Sequence, residues 1–193
     1  MNPVDWTHEQ AAGLALGGLT AWQVLVETAN VQPGQRVLIP GAAGGFGHLA
    51  VQVAKARGAY VIGTASAPKL DFVRGLGADE AIDYRTTDVA AAVHDVDLAI
   101  ATVDGQLPQL AATLRAGGRI VALNSAEATA VREHGGVFLL AEPDRAALEE
   151  LAALAGAGRL RVHVDRVFPL AEAAEAHRAG ETVRTTGKLV LRP

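Results

Sequence analysis

The sequence predicts an α/β fold, a doubly wound parallel sheet of about six strands with a C-terminal strand–helix–strand appendage. Three observations carry this. Apolar runs of strand length recur along the 193 residues and are continuous rather than alternating, as strands covered on both faces are. Stretches with apolar residues at helical spacing separate them. Aromatics are only 4 % of the chain and alanine about a fifth, so the layers must be thin and closely spaced, helix against sheet.

Taken in order, residues 7–28 read as helical, with GGLTAW at 17–22 interrupting the run. RVLI at 36–39 is the first strand. After Gly45, the positions Phe46, Leu49, Ala50, Val53 and Ala54 share one helical stripe, and Lys55 and Arg57 suit the C-terminal end of the dipole. Gly58 stops that helix. YVIGT at 60–64 is the second strand, and Leu70, Phe72 and Val73 mark a helix from Pro68 to Arg74, ended by Gly75 and Gly77. Strands follow at EAID (80–83), DLAIAT (97–102), RIVAL (119–123) and VFLL (137–140). Leu107, Leu110, Ala111 and Leu114 form a further helix, closed by Gly117-Gly118. Asp144 is the N-cap of another, with Leu148, Leu151, Ala152 and Ala155 on one face. Residues 164–193 give strand, helix, loop and final strand. The expected organisation is an N-terminal helical segment 1–28, a central sheet domain 29–158 and a C-terminal segment 159–193.

Composition excludes several functions. Seventeen basic against 21 acidic residues leave a net charge of -4, so nothing favours a nucleic-acid partner. The absence of cysteine removes disulfides, thiolate metal sites and cysteine nucleophiles. Six scattered histidines show no metal-ligand spacing, and no metal site is expected. No run is long enough to cross a bilayer and MNPVDWTHEQ does not read as a signal peptide, which places the protein in the cytoplasm as an expectation.

The chemistry-bearing segment is VLIPGAAGGFGHLAVQVAKARGA, Val37 to Ala59: strand, glycine turn, amphipathic helix. A dinucleotide pyrophosphate needs this arrangement, because small residues let the backbone approach and a helix N-terminus meets negative charge. Against G-x-G-x-x-G the register is Ala42-Ala43-Gly44-Gly45-Phe46-Gly47, with Ala42 in place of the first glycine and Gly41 just before it. Gly44 would admit the pyrophosphate, and Gly47 would let the helix pack on the strand. A tight βα turn with no ligand is the plain alternative. A triphosphate P-loop is excluded, since no G-x-x-x-x-G-K-[ST] can be placed. The second strand ends Gly63-Thr64-Ala65-Ser66 with no acid before Asp71, so the carboxylate expected for NAD is missing. Ser66 and Lys69 instead offer a hydroxyl and a cation to a 2′-phosphate, which favours NADP(H). Otherwise Lys69 is a solvated first-turn lysine.

The ordered set GGLTAWQVL, VQPGQRVLI, GAAGGFGHLAVQVAKARGA, YVIGTAS, LGADEAIDYR, LRAGGRIV and GKLVL resembles the medium-chain dehydrogenase/reductase superfamily. Within it the chain is similar to the zinc-independent, zeta-crystallin-like NADPH:quinone oxidoreductases and enoyl reductases. The resemblance implies a six-stranded Rossmann lobe with Gly44, Gly45 and Phe46 at the pyrophosphate. It implies Ser66, Lys69 and Tyr84 around the adenosine 2′-phosphate, Thr20 near the nicotinamide, and Leu123, Asn124 and Ser125 along the cofactor cleft. Thr20 could equally be a helix-start residue, Tyr84 a half-buried strand-end aromatic and Asn124 a turn former.

Members of the superfamily begin with a GroES-like lobe that carries most substrate contacts, and this sequence starts where that lobe ends. The expectation is therefore NADP(H) binding by part of an oxidoreductase that reduces a quinone or enone held with the help of that lobe, with little turnover by these residues alone. A non-catalytic dinucleotide-binding or sensor module, and a remnant that binds nothing, are the alternatives. No residue earns a catalytic role. A short-chain reductase is excluded because Tyr60 and Tyr84 are followed four residues on by Thr64 and Asp88, not lysine. The edge at Val137–Leu140 is apolar with no charge or proline to block pairing, and the resemblance implies that two such edges pair in a homodimer.

Overall fold

The computed structural model describes residues 6–182 and 184–193. Its first element, α1 (His8–Trp22), is fixed at its start by a capping box: the Thr7 hydroxyl accepts from Gln10 N and the Gln10 side chain accepts from Thr7 N. GGLTAW does not interrupt it. Gly17 and Gly18 lie inside the helix because neighbours come too close for side chains. A Cβ on Gly17 would lie 3.0 Å from the Gly45 carbonyl oxygen, and one on Gly18 would press into Leu14. The helix passes into π-helical Gln23–Thr28. There the Gln23 amide donates to Glu142 O at 2.9 Å and accepts from Glu142 N at 3.0 Å, a tether between segments 119 residues apart.

The main sheet is parallel throughout and has the order β3-β2-β1-β4-β5-β6. Its strands are β1 (Arg36–Ile39), β2 (Tyr60–Ala65), β3 (Glu80–Asp83), β4 (Val96–Ala101), β5 (Leu114–Ala122) and β6 (Val137–Phe138). The helices α2 (Gly47–Ala56), α3 (Leu70–Gly75), α4 (Val89–Ala92), α5 (Leu107–Thr113), α6 (Ala130–Glu133) and α7 (Arg145–Gly156) complete the βα alternation. One core, with Leu25, Ile39, Leu49 and Leu151, fills one face, and a second, with Leu38, Ile62, Leu110 and Ile120, fills the other. The doubly wound expectation holds, with a switch in strand order between β1 and β4.

Several details differ from expectation. The helix at 107 ends at Thr113, before Gly117-Gly118, and β5 begins at Leu114. The edge strand is two residues long rather than VFLL, although Leu139 N still donates to Ala122 O at 2.9 Å. The C-terminal β7 (Val164–Pro169) and β8 (Lys188–Arg192) pair in parallel around α8 (Ala173–Glu181). This unit is strapped to the sheet domain: Gln52 donates to Arg161 O at 2.9 Å and accepts from Arg161 N at 2.9 Å, and Gly187 N donates to Ala43 O at 2.8 Å. No described helix is long and apolar enough to cross a membrane.

Candidate cofactor site

The turn after β1 begins at Gly41, whose φ of +63° is the left-handed conformation that glycine adopts without strain. Its carbonyl accepts Gly44 N–H at 2.8 Å and closes the loop. A Cβ on Gly47 would collide with that carbonyl and with Ala42 Cα, so Gly47 is what lets α2 begin against the strand. The first-glycine role is thus met by Gly41 rather than by position 42. Phe46 stands at the N-cap position of α2 without a side-chain cap bond; its side chain packs on the core and does not line the cavity.

His48 braces the turn from below. It is fully buried; its Nδ1–H donates to Gly44 O at 2.8 Å and its Nε2 accepts from His163 N at 3.3 Å. Burial pushes its pKa down to about 4, so at neutral pH the ring is uncharged and in the tautomer these bonds require.

Above the turn lies a cavity of about 250 Å³. Gly41, Gly44 and Gly45 line it on one side, Ser66, Lys69 and Tyr84 on another. The structure therefore brings together five of the ten site residues read from the sequence. It adds Gly180 and Thr185 from the C-terminal unit, which sequence reasoning missed although GKLVL begins two residues after Thr185. Lys69 Nζ donates to Thr185 O at 2.7 Å. Burial holds Lys69 below the usual lysine range, with Asp165 pulling the other way and Arg85 adding to the depression. Lys69 is thus half-buried and hydrogen-bonded rather than freely solvated. Arg85 does not line the cavity, although its charge acts on Lys69, and no carboxylate lines the cavity.

A second cavity of about 270 Å³ shares Gly41 and Tyr84 with the first. Thr64, Val89, Thr102, Gln106 and Leu110 line it beside α4 and α5. Together the two form a groove across the carboxyl ends of β1, β2 and β4, the place where such sheets bind ligands. Tyr84 is 48 % exposed between the two cavities, about half-buried as its alternative reading has it, with the Arg85 guanidinium 5.8 Å from its ring centroid.

The remaining five residues stand apart. Phe46 has been placed above. Thr20 lies near the end of α1, not at a helix start, with its hydroxyl donating to Leu16 O at 2.8 Å. Leu123, Asn124 and Ser125 follow β5 and line neither cavity. Asn124 caps the short turn after it, accepting from Ala126 N at 3.0 Å, as a turn former does. Glu127, just beyond, is buried and accepts Gly105 N–H at 2.6 Å, tying the loops that follow β4 and β5. Among the described residues no group of three or more histidines or carboxylates could hold a metal.

The sequence pattern of a family described as Zinc-binding dehydrogenase matches residues 76–191, more than half of the chain. The chain belongs to this family, within the medium-chain dehydrogenase/reductases. Spectinabilin polyketide synthase system protein NorB of Streptomyces orinoci is 38 % identical over 207 residues, covering 98 % of this chain and 10 % of NorB. A 2-haloacrylate reductase from Burkholderia sp is 35 % identical, covering 98 % of this chain and 65 % of that enzyme. The quinone oxidoreductase structure from Coxiella burnetii superposes with a TM-score of 0.93 at 36 % identity, covering 100 % of this chain and 63 % of that one. This dehydrogenase/reductase chain thus spans less than two thirds of the reductases it matches. The zinc of the family description has no donor set among the described residues, whereas a nicotinamide dinucleotide suits the groove: glycine backbone at the turn and a buried Thr185 hydroxyl without a partner beside Lys69.

Proposed function

We propose that this chain is the NADP(H)-binding part of a zinc-independent reductase that transfers hydride to an electron-poor acceptor, a quinone or an enone. The observation that carries the cofactor choice is the cavity where β2 ends, lined by Ser66, Lys69 and Tyr84 and by no carboxylate. A 2′-phosphate there meets a partly desolvated ammonium, whereas NAD would lack its ribose partner. The acceptor class is supported by the likeness to a 2-haloacrylate reductase and a quinone oxidoreductase, whose substrates by name are electron-poor.

In this reading Gly41, Gly44 and Gly45 admit the pyrophosphate to the start of α2, Ser66 and Lys69 hold the 2′-phosphate, and His48 keeps the turn in shape. The bound nicotinamide supplies the hydride; the protein orients it and excludes water. The acceptor must be held at near-attack distance, and about a third of each matched reductase lies beyond the part this chain covers.

Titration with both dinucleotides tests the reading. NADPH should bind at least about tenfold more tightly than NADH. Lys69→Ala should weaken NADPH by about 1–3 kcal/mol and leave NADH nearly unchanged. Equal loss for both removes the 2′-phosphate role. A steady-state assay of residues 1–193 with quinones and enones should show NADPH oxidation well below about 1 s⁻¹. Turnover above that would place a complete active site within these residues.

A further inference from the structure

Opposite the glycine turn, the cavity wall comes from the far end of the chain. Gly187 N donates to Ala43 O at 2.8 Å and Lys188 N to His163 O at 2.9 Å, which fixes the segment leading into β8 against the turn. Gly187 has φ +69°, and a Cβ there would strike the His163 carbonyl, so this approach admits glycine alone. Two residues earlier, Thr185 does two things. Its carbonyl receives the Lys69 ammonium at 2.7 Å, and its hydroxyl oxygen is buried with no hydrogen-bond partner. A buried hydroxyl without a partner is a cost to the fold, and valine would fill the same volume without it.

We propose that Thr185 is a specificity residue for the cofactor: its hydroxyl donates to the 2′-phosphate of NADP(H) while its carbonyl aims the Lys69 ammonium at the same group. Thr185 lines the cavity, and one staggered step about χ1 exchanges its methyl and hydroxyl positions. The ammonium keeps donors to spare, since one of its three N–H groups serves the carbonyl and the others reach the phosphate. A donor in a site poor in water forms the stronger hydrogen bond, and a phosphate oxygen is a charged acceptor. The C-terminal unit thereby takes part in cofactor choice. This role rests on the NADP(H) reading above.

The test compares Thr185→Val and Thr185→Ser with the unaltered 193-residue chain, by thermal unfolding without ligand and by titration with NADPH and NADH. Thr185→Val should unfold at the same or a higher temperature. It should bind NADPH about tenfold more weakly, the lower end for a hydrogen bond to a charged group, and change NADH by less than about twofold. Thr185→Ser should stay within about threefold of the unaltered chain for NADPH. Unchanged NADPH affinity in Thr185→Val overturns the proposal, as does equal loss for both cofactors or a loss that tracks a lowered melting temperature. If the unaltered chain binds NADPH and NADH equally, the 2′-phosphate reading itself fails and this role goes with it. If the chain prefers NADPH and Thr185→Val keeps that preference, only the assignment to Thr185 fails.

Discussion

The Gly41 carbonyl closes the turn by accepting Gly44 N–H, and a Cβ on Gly47 would run into the same carbonyl. At Gly44 an added Cβ meets only that oxygen, at 3.2 Å, and the residue otherwise faces the cavity. Gly47 therefore serves packing, whereas Gly44 leaves free the cavity space proposed for the pyrophosphate. Gly44→Val should keep the chain folded, with a stability change of about 1 kcal/mol or less. It should weaken NADPH and NADH by the same factor, because branched methyls occupy pyrophosphate space common to both. A Gly44→Val chain that binds both normally would show that the pyrophosphate lies elsewhere. Spacing alone locates Gly44 and Gly47, since their roles follow from the strand–turn–helix order. It does not distinguish Gly41 from Ala42, because a positive φ is a property of the closed turn.

Between elements, α2 is the part that connects cofactor turn and C-terminal unit. Gln52 bridges to Arg161, and His48 reaches from Gly44 O to His163 N, so turn, helix and β7 lead-in share one hydrogen-bonded seam. Because His48 stays neutral in the fold down to about pH 4, an unfolded chain with an ordinary imidazole binds an extra proton below about pH 6.5. Stability from this group should be level above pH 6.5, fall as pH drops towards 4, and be level again below. The total is about 3 kcal/mol. Urea unfolding across that range checks it: His48→Asn should lack this component, and an equal slope in both chains would count against it. Helices with a strong period, such as α2 and α7, and strands with an unbroken apolar run, such as β1, are legible in sequence. The seam is not, because nothing in His48 or Gln52 announces partners more than a hundred residues away. The π-helical turn escapes for the same reason, since the Gln23–Glu142 tether is tertiary. The strand span of β5 and the brevity of β6 depend on neighbours that local pattern does not contain.

At the scale of the molecule, the described sheet ends at β6, which bonds to β5 on one side only. Val137 is 46 % and Leu140 77 % exposed, and the segment Val137–Leu140 carries no charge or proline to block pairing. The regular strand is short, which weakens an edge as a template, but Leu139 continues the ladder to Ala122 and leaves an extended apolar border. The Gln23–Glu142 tether holds the chain just beyond it, so the border is presented by a fixed backbone and little ordering entropy opposes pairing. A two-fold axis at this edge would join two copies through identical surfaces and bury Leu140 with its counterpart. Light scattering at micromolar concentration should give twice the mass of one chain. Leu140→Lys should shift it to the single-chain mass without changing NADPH affinity, because the groove proposed for the cofactor opens across β1, β2 and β4 rather than at β6. A single-chain mass for the unaltered protein would rule this association out. A dimer unaffected by Leu140→Lys and by Val137→Lys would place the contact on another face.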